Sequence, residues 1–238
     1  MSKESTDYSI LAVDTSSPLA SLAIVRGELT LAALAGNAHL PHSQTFFSNL
    51  PILLQLAGLE MRQIDAFAAA TGPGSFTGLR VGLAAVKGLA HTLDRPAIGV
   101  CSFDALALGS GASGPVLVML DAGREEAYCG LREATGDGNV KGIGQDRVGK
   151  PAFVLPDLLA GVKSLVATGS AAVKFKKEID IAAGGVGVDQ VEVRQPWQLT
   201  ASIVALVAAR RLVAGIKPEL HPYYVRKSDA EIKLMGLK

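Results

Sequence analysis

The sequence predicts an α/β protein of two lobes made on one repeated plan, and three observations carry the prediction. Strand-like and helix-like stretches alternate as βββαβαβα between residues 8 and 108. An apolar strand that ends in Asp121-Ala122-Gly123 and is followed by a hairpin partner repeats the opening of the chain, where an apolar strand ends in Asp14-Thr15-Ser16. Between these halves the run GSGASGP, residues 109–115, is the strongest linker in the sequence. An N-terminal lobe is therefore expected over 1–109, completed by part of the C-terminal segment 199–238, with a smaller C-terminal lobe over 115–198.

Each element follows from a local pattern. The apolar runs 8–13 (YSILAV), 20–25 (ASLAIV) and 29–34 are separated by the turn clusters Asp14-Thr15-Ser16-Ser17-Pro18 and Arg26-Gly27-Glu28, which reads as three strands joined by tight turns. From 42 to 58 apolar residues recur at three- and four-residue spacing (Phe46, Leu50, Leu53 or Leu54, Ala57), which predicts a helix. Pro51 removes one ladder donor and is expected to kink or split that helix near 47–50. A strand is predicted over 65–70, a helix over 78–93, a strand over 97–101 and a short helix over 103–108. Beyond the linker come strands over 116–120 and 126–131, a glycine-rich ribbon over 136–149 and a short helix over 153–159. A strand over 164–167, a helix over 199–214 and the terminal segment PELHPYYVR, 218–226, complete the chain.

Composition excludes several classes. The 238 residues carry 23 basic and 22 acidic side chains, so no global positive field draws the protein onto nucleic acid. The cations Arg124, Arg132, Lys174, Lys176, Lys177, Arg210 and Arg211 are scattered in sequence rather than striped. No apolar run is long enough to span a bilayer. Cys101 and Cys129 lie in apolar strand-like surroundings without a Cys-x-x-Cys partner or a nearby histidine, and are expected to be buried free thiols. The opening MSKESTDYSI lacks the charged and apolar regions of a signal peptide, so a cytoplasmic location is expected, with no membrane partner.

The stretch ATGPGSFTGLRVGLAAVKG, residues 70–88, places Gly72, Gly74, Gly78 and Gly82 at a strand-to-helix corner. It fits none of the known phosphate or nucleophile loops. The dinucleotide fingerprint fails because the third glycine falls one place late, at Gly78; the P-loop fails because no Gly-Lys-Ser/Thr follows. Pro73 stands where a nucleophile elbow around Ser75 needs its first glycine. What remains is a corner in which Ser75 or Thr77 caps a helix beginning near Gly78.

Taken with ILAVDTSSPLASLAI (10–24), HSQTFFSNLPILL (42–54), LDAGREEAYCGL (120–131) and PYYVR (222–226), this stretch resembles the TsaB family, and GPGSFTGLRVG is its most specific element. The resemblance implies the two-lobed actin/Hsp70/sugar-kinase-like (ribonuclease H-like) fold, each lobe a mixed sheet with helices. It further implies a noncatalytic, activating role in forming tRNA threonylcarbamoyladenosine, as partner of the catalytic paralogue TsaD. TsaD carries a His-x-x-x-His metal motif after the strand matched by residues 97–100; here Cys101-Ser102-Phe103-Asp104-Ala105 stands, with no histidine at either ligand position. His39 and His42, three apart across Pro41, read as surface or interface residues at a helix start rather than as substitute ligands. The expectation is thus no catalytic residue, no metal and no cofactor. Asp14 with Ser16, and Asp121 with Gly123, are expected to be vestigial phosphate turns, the first with a serine where related turns have glycine. On the adenosine side Thr168-Gly169-Ser170-Ala171 has one glycine where a pair is usual, so weak or absent nucleotide binding follows.

The resemblance also implies a docking face for the TsaD-like paralogue on the helices 42–57 and 78–93, with His42, Phe46, Leu50, Leu53, Gly78, Leu79, Gly82 and Val86 as its residues. The residues agree in one respect: Phe46, Phe47, Leu50, Ile52, Leu53, Leu54 and Leu56 spread too far around the first helix for one buried stripe. Gly78 and Gly82, one turn apart, are expected to leave a groove that another helix enters. A homodimer through the same face is expected when the paralogue is absent, a TsaE-like ATPase joins the complex, and tRNA is met only within it. The enzyme alternatives, a metal-dependent endopeptidase or an independent ATP-binding enzyme, are opposed by the missing histidines and the altered turns.

Overall fold

The computed structural model describes residues 8–37, 42–135, 139–194, 200–216 and 219–226. In them the expected duplication appears as two five-stranded sheets with the same topology. The first contains β1 (Ser9–Asp14), β2 (Leu19–Arg26), β3 (Leu29–Asn37), β4 (Ala66–Gly72) and β5 (Ala97–Cys101) in the order β3-β2-β1-β4-β5. The second contains β6 (Gly114–Gly123), β7 (Glu126–Ala134), β8 (Val140–Gly149), β9 (Ser164–Thr168) and β10 (Gln190–Val193) in the order β8-β7-β6-β9-β10. In each sheet the first three strands form an antiparallel meander, and the fourth and fifth add in parallel to the first. Parallel neighbours need a crossover, and the helices supply it. These are α1 (His42–Ala57) and α2 (Phe76–Leu93) on the first sheet, with α4 (Pro151–Leu159) and α5 (Lys176–Val186) at the equivalent places on the second. Two further helices, α3 (Ser102–Gly109) and α6 (Ala201–Val213), pack between the sheets.

Strand alternation sorts the core into layers. Leu11, Val13, Ile24, Phe67 and Ala69 point to one side of the first sheet, where they meet Phe46, Leu50 and Leu53 of α1 and Leu83 and Val86 of α2. Ile10, Ala12, Ala66, Ala68 and Ala70 point to the other side. There the small side chains let Ala201, Ala205 and Ala208 of α6 pack against the sheet, and the same cluster continues through Phe103 to Val116 and Val118 of the second sheet. Although α6 lies near the end of the chain, it covers the first sheet, and its Ala201 N–H donates to Ser21 Oγ at 2.8 Å. The far side of the second sheet is closed by Leu155 and Leu159 of α4 and Ile179 and Ala183 of α5.

Some elements depart from expectation. Pro51 neither splits nor ends α1, which runs unbroken through it. The carbonyl deprived of a donor is that of Phe47, and both residues are exposed, so water can serve it. The corner resolves the capping alternative: α2 starts at Phe76, and Ser75 Oγ accepts from the Gly78 N–H at 3.2 Å. The linker is short, because α3 runs to Gly109 and β6 begins at Gly114. The ribbon 136–149 is β8 from Val140 onward, while residues 136–138 lie outside the described residues, as do His39, Pro41, residue 199 of the expected last helix and Pro218. The sequence reading passed over α5 and β10. Both cysteines are free, Cys129 buried and Cys101 partly so. Among the described residues no helix is long and apolar enough to cross a membrane.

Candidate functional site

The turn after β1 and the glycine corner after β4 form one unit. Asp14 ends β1 and is wholly buried. Its Oδ1 accepts from Ser16 N at 2.9 Å and from Ser16 Oγ at 2.6 Å, while Oδ2 is buried with no partner among the described residues. Burial pushes this carboxyl up to about 6, against the opposing pull of the two Ser16 bonds. The corner is tied onto the turn by two bonds: Ser75 N donates to Ser16 O at 2.6 Å, and Thr15 Oγ1 donates to Gly78 O at 2.7 Å. A Cβ on Gly74 would collide with Ser16 O and one on Gly78 with Thr15 O; one on Gly82 would sit 2.5 Å from Thr15 Oγ1. The glycines are there because the chain's own turn lies on them. This corrects the expected groove, since the notch at Gly78 and Gly82 is filled by Thr15 and is not open to another helix.

The same Asx turn recurs in the second lobe, where Asp121 Oδ1 accepts from Gly123 N at 2.8 Å. No glycine corner seals it. Asp121 and Gly123 are exposed, and Lys174 Nζ lies 3.4 Å from Asp121 Oδ2 and 3.3 Å from Glu125. Behind this turn Gly169 has φ 101°, and a Cβ there would collide with Met119 O, so the glycine in Thr168-Gly169-Ser170-Ala171 is required by backbone packing alone.

Between the sheets lies an open cavity of about 380 Å³, lined by charged side chains that already satisfy one another. Arg132 of β7 donates from Nε to Asp104 Oδ1 at 2.7 Å and grips Asp146 of β8 with two bonds of 2.6 and 2.8 Å. Arg211 of α6 holds the other Asp104 oxygen at 2.7 Å and donates to Gly99 O at 2.9 Å. Burial opposes the Arg132 charge, but the bonds to Asp146 and the charges nearby outweigh it and push the guanidinium above its ordinary range. Cys101, where β5 meets α3, is pushed up to about 11 by burial and then by Asp104. The terminal segment closes the arrangement: Tyr223 N donates to Thr71 O at 2.7 Å, Tyr223 Oη donates to Asp146 Oδ2 at 2.8 Å, and Arg226 pairs with Glu126. Burial, followed by that bond to Asp146, pushes the Tyr223 hydroxyl up. Among the described residues no three His, Cys, Asp or Glu side chains stand where they could share a metal ion.

Sequence reasoning missed this network. It met Asp104 only as a carboxylate within the stretch that lacks the histidine pair and treated Arg132 and Arg211 as scattered charges. The available signal was Arg132 itself, an arginine within the apolar alternation of β7.

The expected interface residues lie in the core. Phe46, Leu50, Leu53, Leu79 and Val86 are buried against their own sheet, and Gly78 and Gly82 against the β1–β2 turn. His42 begins α1, but its side chain lies outside the described residues. What the same two helices show to solvent is a different set: Phe47, Ile52 and Leu56 on α1, exposed by 60%, 49% and 61%, and Arg80, Ala84, Lys87, Gly88 and His91 on α2.

Duplicated sheets of this topology, an Asx turn at the head of each and a cleft closed by internal ion pairs define a protein of the actin/Hsp70/sugar-kinase class. The chain belongs to the family of TsaD, tRNA N6-adenosine threonylcarbamoyltransferase, whose family model matches residues 36–210, and within it is of the TsaB/YeaZ type. An uncharacterized protein of Mycobacterium tuberculosis is 39% identical over 127 residues, 50% of this chain and 56% of that protein. The tRNA threonylcarbamoyladenosine biosynthesis protein TsaB of Haemophilus influenzae is 35% identical over 126 residues, 51% of this chain and 52% of that protein. The chain thus spans about half the length of these curated relatives. A crystal structure from Pseudomonas aeruginosa, described as similar to peptidase YeaZ, shares the fold with a TM-score of 0.77 at 24% identity, covering 92% of this chain and 100% of that one.

Proposed function

We propose that this protein is the noncatalytic, activating partner of a TsaD-like threonylcarbamoyltransferase in a cytoplasmic complex, docking that paralogue through α1 and α2. The observation that carries the reading is the fate of the two positions, Cys101 and Ala105, where the resemblance puts the transferase's metal ligands, and of Asp104, the carboxylate between them. Asp104 is already held by two guanidinium groups, and the Cys101 thiol is pushed away from ionisation, so neither offers a divalent ion free charge. Asp14, at the first phosphate turn, is sealed beneath the glycine corner. The name of the Haemophilus relative supports the pathway. On this reading Phe46, Leu50, Leu53, Leu79 and Val86 stiffen the face from beneath, and Phe47, Ile52 and Leu56 meet the partner. Each such side chain contributes roughly 1.5–3 kcal/mol when fully covered. A TsaE-like ATPase joins the complex, and tRNA is met only there.

The test is reconstitution with the paralogue, the ATPase, a threonylcarbamoyl donor and unmodified tRNA, with the modified nucleoside measured by mass spectrometry. Product is expected only when the paralogue is present, and omitting this chain should remove most of it. Product formed without the paralogue, or ATP turnover by this chain alone that disappears in Asp14→Ala, refutes the proposal.

A further inference from the structure

The outward faces of α1 and α2 differ in charge in a way that specifies their partner. The two helices lie side by side on one face of the first sheet, so their solvent sides point the same way. None of the 16 residues of α1 is Asp, Glu, Lys or Arg. The 18 residues of α2 include no acid but three bases, Arg80, Lys87 and His91. With Ala84 these fall at spacings of four, three and four residues, one continuous stripe, and all four are exposed. Arg80 lies 3.8 Å over the Phe76 ring, and no carboxylate pairs with any of the three bases among the described residues. The nearest acids in sequence lie beyond the helix ends: Glu60, which pairs with Arg62 at 2.8 Å, and Asp94 at the α2 C-cap.

Small residues border the stripe. Gly88 is exposed in mid-helix, and a Cβ added there meets nothing within 4 Å, so nothing in the protein's own packing requires a glycine. Glycine weakens a helix interior, and its use beside Ala84 fits close approach by another backbone.

We propose that this face is built for an acidic helical partner: the TsaD-like paralogue docks with carboxylates aligned on Arg80, Lys87 and His91, while its apolar residues cover Phe47, Ile52 and Leu56. The inference rests on the function proposed above and adds the chemistry of the partner's surface. A second copy of the chain fits less well, because it brings three more bases and no acid to the same contact. RNA fits less well because phosphates do not cover the Ile52 and Leu56 side chains, and two cations with one histidine give few phosphate contacts.

The experiment measures the affinity of the purified full chain for the paralogue by calorimetry at 50 and 300 mM salt. Wild type should bind, and its Kd should weaken several-fold at the higher salt as the charges are screened. Arg80→Glu/Lys87→Glu should weaken binding at 50 mM salt at least tenfold and abolish the salt dependence, with an unchanged circular dichroism spectrum. Gly88→Leu should block binding at both salts. Binding by the double variant equal to wild type overturns this proposal and leaves the functional reading standing. No binding by wild type at either salt overturns both. Sedimentation of the chain alone as a dimer tighter than its complex with the paralogue assigns the face to a second copy. Salt-dependent tRNA binding lost in the double variant, with paralogue binding kept, assigns the stripe to RNA; either of these last results overturns the acidic-partner proposal.

Discussion

Asp14→Asn probes the sealed turn most directly, because the consequence can be worked out before the measurement. The folded carboxyl is raised from the ordinary 3.8 to about 6, chiefly by burial. The folded state therefore holds this proton more tightly than the unfolded chain does. The stability so contributed is fully present below pH 3.8 and is lost as pH rises through about 6. A shift of that size corresponds to about 3 kcal/mol. Asparagine keeps an oxygen to accept from Ser16 N and Oγ, and places its amide where Oδ2 already has no partner, so the variant changes ionisation more than packing. Other groups titrate alike in both proteins, so their difference in stability isolates Asp14. Wild type should lose about 2.4 kcal/mol relative to Asp14→Asn between pH 4 and pH 7, the rest having gone by pH 4. For a protein of this size that is about 5–10 °C in the difference of melting temperatures. Thermal denaturation at half-unit pH steps reads it. A difference that stays flat, or a wild type that gains on Asp14→Asn as pH rises, would falsify the account and would mean that Oδ2 has a partner in solution.

Two further predictions concern the glycine corner and the cleft. A graded series, Gly78→Ala, Gly82→Ala and Gly88→Ala, should cost most at Gly78, where the new methyl meets a backbone carbonyl, and about 1–3 kcal/mol at Gly82, where it meets the Thr15 hydroxyl. At Gly88, where it meets nothing, a gain of about 0.5–1 kcal/mol is expected; urea denaturation that returns a different order contradicts the packing described. Arg132→Met strands two partly buried carboxylates and should destabilise by about 3–5 kcal/mol, with part recovered in Arg132→Met/Asp146→Asn. A loss below about 1 kcal/mol would show that Arg211 and Tyr223 suffice.

The fold was legible because its signals are local. The runs at 8–13 and 116–120 each end in an aspartate turn, and that repetition announces the duplication before any contact is known. The helices α1 and α2 follow from spacing for the same reason. The residues expected at the docking face are buried in the structure, because a hydrophobic pattern gives the width of an apolar face but not which part of it the sheet covers. Phe46 and Phe47 are adjacent and alike in sequence, yet one is 3% and the other 60% exposed. Gly78 and Gly82 misled for a related reason: a missing side chain announces that something approaches closely without saying what. Here it is Thr15, more than sixty positions away in the chain. The cleft was invisible because Asp104, Arg132, Asp146, Arg211 and Tyr223 come from five separate segments and meet only after both sheets form.

The two aspartate turns show how this fold can keep its plan while changing what it offers. In both lobes the carboxylate accepts the amide two residues on, at 2.9 Å in one and 2.8 Å in the other, so the local geometry is the same. The difference is made by what lies against each turn. After β4 the chain supplies Gly74, Gly78 and Gly82, whose bare backbones let the first turn sink onto α2 until Asp14 has no contact with solvent. After β9 it supplies Gly169 alone; that glycine packs under Met119 and leaves Asp121 exposed beside Lys174. A buried carboxyl lacking one partner is costly to ionise and poorly placed to meet a phosphate or a metal ion. The residues that remove the first turn from chemistry are the same ones that seat α2 firmly on the sheet. A rigid α2 is what a docking surface needs, since ordering a loose helix at the contact would subtract from affinity. On the function proposed above, the glycine corner takes the first aspartate turn out of reach of a phosphate and holds α2 in place for docking through one set of contacts.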